Sequence, residues 1–342
     1  MQRVIRGLLL ALLLLLGSEG GAMAWQIVDP WPEPETVLSV RETRVTFLSS
    51  DPFTPADIAS APQRMVAARL FLPARMPEGR HTPAVVMLHG SAGLIGDRAK
   101  YGPQLAAMGI AVLLIETYDS RHDLGSDFIE RVINITETMF VADAYAGLRY
   151  LATRPEIDPR RVVLTGFSYG GMATEYAMYA QMAEGLAPDG LRFAGHVAYY
   201  APCIARFADS RTTGAPLLML YGAEDELIRP DRCAQVADDL RGGGSAVEIV
   251  SYPGAVHQWD GGMPRRLIGR QLAGCRFEVA RDGSVRDQRT LLPMSGPFLR
   301  KVILGLCTSG PPYPIGRDDA VRARSNRDFG RFLARVFATA EE

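Results

Sequence analysis

Short apolar runs recur along the middle of the chain: Ala84–Leu88, Ile110–Ile115, Arg161–Thr165, His196–Tyr200, Pro216–Tyr221 and Ala246–Ser251. None alternates cleanly with polar residues, so each predicts a strand buried on both faces, as parallel sheets require. The gaps between them are long enough for helical crossovers. Phe140, Ala144, Leu148 and Leu151 fall on one helical face that stops near Pro155. Arg232–Leu240 predicts another helix, ended by Gly242, Gly243 and Gly244. Alternating strands and helices predict an α/β fold: a doubly wound, mostly parallel sheet flanked by helices.

The ends of the chain follow other rhythms. Residues 25–36, with Pro30, Pro32 and Pro34, read as an extended arm. Two β-rich stretches, Val37–Leu48 and Met65–Leu72, predict antiparallel strands at one edge, with a loop between them. Late in the chain, Phe277–Ala280 and Ser284–Arg289 flank Asp282-Gly283, a hairpin signal. A small hairpin and helix are therefore expected as an insertion over roughly residues 259–315. Asp318–Phe337 reads as a terminal helix resting on Val321, Phe329, Phe332 and Val336. We expect a single domain over residues 25–342.

The first 24 residues change the compartment. Arg3 and Arg6 precede the apolar run Leu8–Leu16, and Ala22-Met23-Ala24 offers a small-x-small cleavage site. The run falls well short of the roughly 20 residues of a membrane span. A removable signal peptide is expected, hence periplasmic or extracellular export without stable membrane insertion. The 342-residue chain has a net charge of −1 and no basic cluster, which leaves nucleic acid without an electrostatic footprint. Four cysteines in an exported chain suggest two disulfides in one of three connectivities. Cys203 with Cys233 is favoured, because each would lie just past a neighbouring strand; Cys275 with Cys307 then staples the insertion. No metal-ligand spacing occurs.

The chemistry concentrates at Gly166-Phe167-Ser168-Tyr169-Gly170-Gly171. This segment follows a predicted strand and precedes a helix-forming stretch. A serine on such a sharp turn presents its hydroxyl at the carboxyl end of the sheet, and the flanking glycines remove Cβ atoms that would clash. A serine hydroxyl needs a base held in one tautomer. His257, in a Pro-Gly loop just past a strand, is the candidate; His196, at a strand start, reads as structural. The acid should follow Leu217–Tyr221. Asp225 is chosen over Glu224 and Glu226, with Asp209 in reserve. The oxyanion donors are expected to be the backbone N–H groups of Tyr169 and Ser91, with Ala92 next. His89 is expected to hold its loop.

Together, the HGSAG loop (His89–Gly93), GFSYGG elbow (Gly166–Gly171), YGAED loop (Tyr221–Asp225) and PGAVH loop (Pro253–His257) resemble the dienelactone hydrolase family of the α/β-hydrolases. The resemblance runs over roughly residues 65–260. It implies cleavage of a small carboxylic ester or lactone, without a cofactor. The best-known family members use a cysteine nucleophile where this chain has Ser168. Tyr118-Asp119-Ser120-Arg121 resembles a shorter form of a D-S-x-x-R stretch in such relatives, making Arg121 a candidate contact for a substrate carboxylate. Trp259, Tyr200 and Tyr169 are candidates for the acyl pocket. The alternatives are a serine peptidase or amidase on the same fold, and an inactive hydrolase-like binding protein.

Overall fold

A computed structural model describes residues 25–33, 40–76, 81–94, 100–269, 272–308 and 310–339. The expected leader and the arm beyond residue 33 lie outside the described residues. In chain order the first elements are β1 (Arg41–Ser50), β2 (Gln63–Leu72), β3 (Thr82–Leu88), α1 (Tyr101–Ala107), β4 (Ala111–Ile115), α2 (Phe128–Asn134) and α3 (Glu137–Ala152). Next come β5 (Ile157–Phe167), α4 (Tyr169–Tyr176), α5 (Ala180–Leu186), β6 (Gly195–Tyr199), β7 (Ala205–Phe207), β8 (Leu217–Gly222), α6 (Pro230–Gly242) and β9 (Val247–Tyr252). The last are β10 (Arg266–Ile268), β11 (Phe277–Val279), β12 (Val285–Asp287), α7 (Pro297–Cys307), β13 (Tyr313–Ile315) and α8 (Asp319–Thr339).

Every apolar run predicted as a strand forms one. They assemble into an eight-stranded sheet of order β1-β2-β4-β3-β5-β6-β8-β9. From β4 to β9 all neighbours are parallel. β1 and β2 pair antiparallel at the edge, as expected, and β2 joins β4 antiparallel. Alternate strand residues feed two cores. Val86, Leu88, Leu113, Ile115 and Leu164 pack with α3 and α4 on one face. Val85, Met87, Val112, Leu114 and Val163 pack on the other, with Tyr101 and Leu105 of α1 and Phe329 and Phe332 of α8. Each such side chain contributes about 1.5–3 kcal/mol by leaving water. Because both faces of the central strands are covered, the run Ala84–Leu88 and β4 are apolar throughout, whereas β9 at the edge keeps the polar Glu248 and Ser251. The arm docks here too: Trp25 lies edge-on to Phe337 and Trp31 packs against Tyr101 and Phe329.

The late segment forms the expected hairpin, β11 with β12, and the expected helix, α7. β11 also adds in parallel to β7, and β10 pairs with β13. The segment shares the main core through Phe277, Val279, Ile303 and Leu304. Cys203 is bonded to Cys233 and Cys275 to Cys307, the expected connectivity. The first bridge joins the loop after β6 to α6, which follows the neighbouring β8; the second ties the residues before β11 to the last turn of α7. Among the described residues no helix is long and apolar enough to cross a membrane.

Candidate active site

β5 ends at Phe167 and α4 starts at Tyr169, so a single residue makes the turn. Ser168 makes it with φ 53° and ψ −109°, a backbone conformation that costs a non-glycine residue on the order of 1–3 kcal/mol. The surroundings hold it there. The Ser168 N–H donates to the Tyr199 carbonyl at 2.9 Å, and the Ser168 carbonyl accepts from Met172 in the first turn of α4. Strand and helix approach too closely for side chains on either flank. A Cβ on residue 166 would sit 2.1 Å from the Gly170 carbonyl oxygen, and one on residue 170 would sit 2.5 Å from that of His89. Gly166→Ala is therefore expected to cost at least about 3 kcal/mol or to prevent folding. A variant melting within a few degrees of the parent would show that the turn can relax.

The elbow aims Ser168 at the loop after β9. The Ser168 Oγ donates to Nε2 of His257 at 2.9 Å, and the His257 Nδ1–H donates to Oδ2 of Asp225 at 2.6 Å. A carboxylate only accepts, which fixes the proton on Nδ1 and leaves Nε2 free to accept from the serine. Asp225 follows β8, and its other oxygen accepts from the Leu227 N–H at 3.0 Å. All three side chains are buried. The competing groups stand elsewhere. Glu224 and Glu226 are exposed. Asp209 pairs with Arg211 at the surface. His196 is enclosed in the core, where burial pushes its imidazole down to about 3. His89 holds its own loop, with Nδ1 2.9 Å from the Gly90 carbonyl.

Ser168 and His257 open onto a cavity of about 1020 Å³. Ser91, Ala92 and Tyr169 line it with them. As the first residue of α4, Tyr169 has no residue four back in the helix to accept its N–H. Its side chain is locked. The hydroxyl donates to the Ile135 carbonyl at 2.8 Å and accepts from Nη2 of Arg300 at 2.9 Å. Arg300, from α7, is buried and also pairs with Glu137 at 3.0 Å. Burial works against its charge, but Glu137 and the neighbouring tyrosine outweigh it and hold the guanidinium above its ordinary range. This clamp on Tyr169 gave no signal in the sequence. Phe128, Ile129, Val132 and Ile133 of α2, and Leu304 of α7, form apolar walls of the cavity. The 128/132 and 129/133 spacing on α2 was a readable helical stripe that the sequence reading missed.

Three expected substrate contacts are corrected. Arg121 is fully enclosed: it donates to Asp143 at 2.7 Å, to Asp51 at 2.8 Å and to the Thr117 and Ser50 carbonyls, so no donor remains for a ligand. Trp259 is buried beside α8, with its indole N–H donating to Ser325 at 3.1 Å. Tyr200 lies behind the imidazole, not in front of it. Its ring packs edge-on to His257 at 4.7 Å and its hydroxyl donates to Asp260 at 2.5 Å. None of the three lines the cavity, whereas Tyr169 does.

The serine–imidazole–carboxylate chain can move a proton off the hydroxyl, and it stands where the four sequence loops converge. Residues 66–261 match the model of the dienelactone hydrolase family. The chain belongs to that family. Membership accounts for the parallel sheet and the chain order Ser, Asp, His: this is the α/β-hydrolase fold. Among curated relatives, it is 27% identical over 240 residues to the uncharacterized peptidase YuxL of Bacillus subtilis, covering 60% of this chain and 36% of that protein. It is 22% identical over 247 residues to acylamino-acid-releasing enzyme 2 of Oryza sativa, covering 60% and 31%. The chain thus spans about a third of the length of the curated relatives it matches. Among solved structures, a dienelactone hydrolase-like promiscuous phosphotriesterase from metagenomic libraries is 20% identical with a TM-score of 0.48, covering 65% of this chain and 89% of that one.

Proposed function

We propose that the protein is a serine carboxylic-ester hydrolase working through an acyl-enzyme. The observation that carries this reading is the unbroken hydrogen-bond chain from Ser168 Oγ through His257 to Asp225, at 2.9 and 2.6 Å. His257 Nε2 takes the hydroxyl proton as Oγ attacks the ester carbonyl, and Asp225 stabilises the resulting imidazolium. The tetrahedral oxyanion is received by the N–H groups of Tyr169 and Ser91, each worth about 3 kcal/mol in the transition state. The imidazolium returns the proton to the leaving alkoxide, which departs as the alcohol. Water, deprotonated by the same Nε2, then releases the acid and restores the serine. The reading is tested by exposing the protein to a fluorophosphonate probe. A single adduct on Ser168, found by peptide mass spectrometry, is expected; an unlabelled Ser168 in folded protein would refute the mechanism.

A second reading is a serine peptidase or amidase, favoured by the names of the two curated relatives. The proton chain serves either bond. A panel of aryl esters against aminoacyl arylamides decides between them: at least tenfold higher kcat/KM on esters is expected, and the reverse order would replace the first reading.

A further inference from the structure

Half of the cavity wall comes from outside the segment that matches the family. Residues from Gly262 to Gly316 line it together with α2, and the family match ends at residue 261. The cavity is therefore a composite of family scaffold and added segment. Its volume, about 1020 Å³, lies at the upper end of the usual range of about 300–1000 Å³ for small-molecule sites. A small lactone would leave most of this space unfilled. Its walls are apolar, and Phe128, Ile129 and Met263 remain about half exposed at 48%, 45% and 52%. Large apolar side chains left in water around a concavity mark the place where an apolar ligand lies.

The charges in the lining are one-sided. Among the described residues no Asp or Glu lines the cavity, whereas Arg266 of β10 and Lys301 of α7 both do. Both are exposed, and neither is ion-paired with a carboxylate among the described residues. The acid of the facing helix, Glu130 on α2, is turned to the N–H and hydroxyl of Ser126 at 2.9 Å. Arg276, Arg281 and Arg289 of the same late segment are exposed without an ion-pair partner among the described residues too, so what sets Arg266 and Lys301 apart is their place in the cavity lining. Lys301 is also one of only two lysines in the sequence, with Lys100. Two exposed cations in the lining of an apolar cavity, with no carboxylate beside them among the described residues, complement a ligand with an apolar body and an anionic head.

We propose that the substrate is an amphipathic ester: an apolar body held between α2 and α7, and one anionic group, carboxylate or phosphate, held at the rim by Lys301 and Arg266. This rests on the hydrolase reading for the bond that is cleaved, but binding is measurable without cleavage. The test uses the full chain carrying Ser168→Ala and three probes: the mono-hexylamide of octanedioic acid, the methyl ester of that amide, and octyl phosphate. Calorimetry at low ionic strength is expected to show either anion binding about tenfold tighter than the neutral ester. The preference should shrink in 0.5 M salt and vanish in Lys301→Gln/Arg266→Gln, which keeps the aliphatic walls. The tighter of the two anions identifies the head group. Equal affinity for charged and neutral probes would overturn the proposal, as would a preference that survives the double substitution. Fluorophosphonate labelling of the parent is independent of the rim. Labelling without anion preference removes this inference alone; anion preference without labelling removes the hydrolase mechanism alone.

Discussion

Ser168→Ala is expected to lower kcat/KM for a short-chain aryl ester by about 10⁴-fold or more, with secondary structure unchanged. The hydroxyl is the only atom in the elbow that the proposed chemistry consumes, and its one side-chain bond in the structure is to His257. The strained turn is fixed by Gly166, Gly170 and backbone bonds to Tyr199 and Met172, none of which the substitution touches. Circular dichroism and melting temperature should therefore match the parent. What remains of the rate enhancement should come from the Tyr169 and Ser91 donors. A variant that keeps more than a tenth of the parent activity would place the nucleophile elsewhere.

The largest expected effect on stability lies well away from the chemistry. Arg121→Leu should cost about 3–5 kcal/mol, because it strands buried carboxylates without a counter-charge. Asp143 is fully enclosed and would keep only the Ser49 hydroxyl, 2.7 Å away. Asp51 is better protected, since Arg64 bonds its other oxygen at 2.8 Å. Arg121→Leu/Asp143→Leu should recover part of the loss by removing both ends of the inner pair. Urea denaturation of the parent and both variants reads this out. A loss under about 1 kcal/mol for Arg121→Leu, combined with a raised KM, would restore Arg121 as a substrate contact.

Arg121 also shows where sequence reading stops. Its partners are Asp51 and Asp143, 70 and 22 residues away. Nothing local distinguishes an arginine aimed at them from one aimed at a ligand. Tyr200 and Trp259 failed similarly: residue type announces an aromatic near the site, but only the path of the chain decides which side of His257 the ring takes. The central strands β3 and β4 were legible because burial on both faces writes itself as uninterrupted apolar sequence, while β9 at the edge was read despite Glu248 and Ser251. β5 was read only from Arg161. Its first residues, Ile157 to Arg160, include Asp158 and Pro159, and the ladder with β3 is irregular there. The hydrogen-bonded trio Ser168, His257 and Asp225 was legible because each residue sits at a fixed offset from a strand end. The cavity was not: the α2 stripe and a late helix could be read one by one, but the contacts that bring them together, such as Arg300 on the Val132 carbonyl, are remote in sequence.

Gly316 donates its N–H to the His257 carbonyl at 2.9 Å, and Ile315 bridges the same residue, so the added segment returns to the back of the imidazole loop. The hydrogen-bonded serine–imidazole–carboxylate chain and much of the cavity lining thus belong to two stretches of chain that meet at one seam. The late stretch is no loose appendage: it shares the main core through Phe277, Val279, Ile303 and Leu304 and holds Tyr169 through Arg300. A change of its lining residues that keeps these contacts should therefore alter which molecules are accepted and leave the Ser168–His257–Asp225 geometry in place.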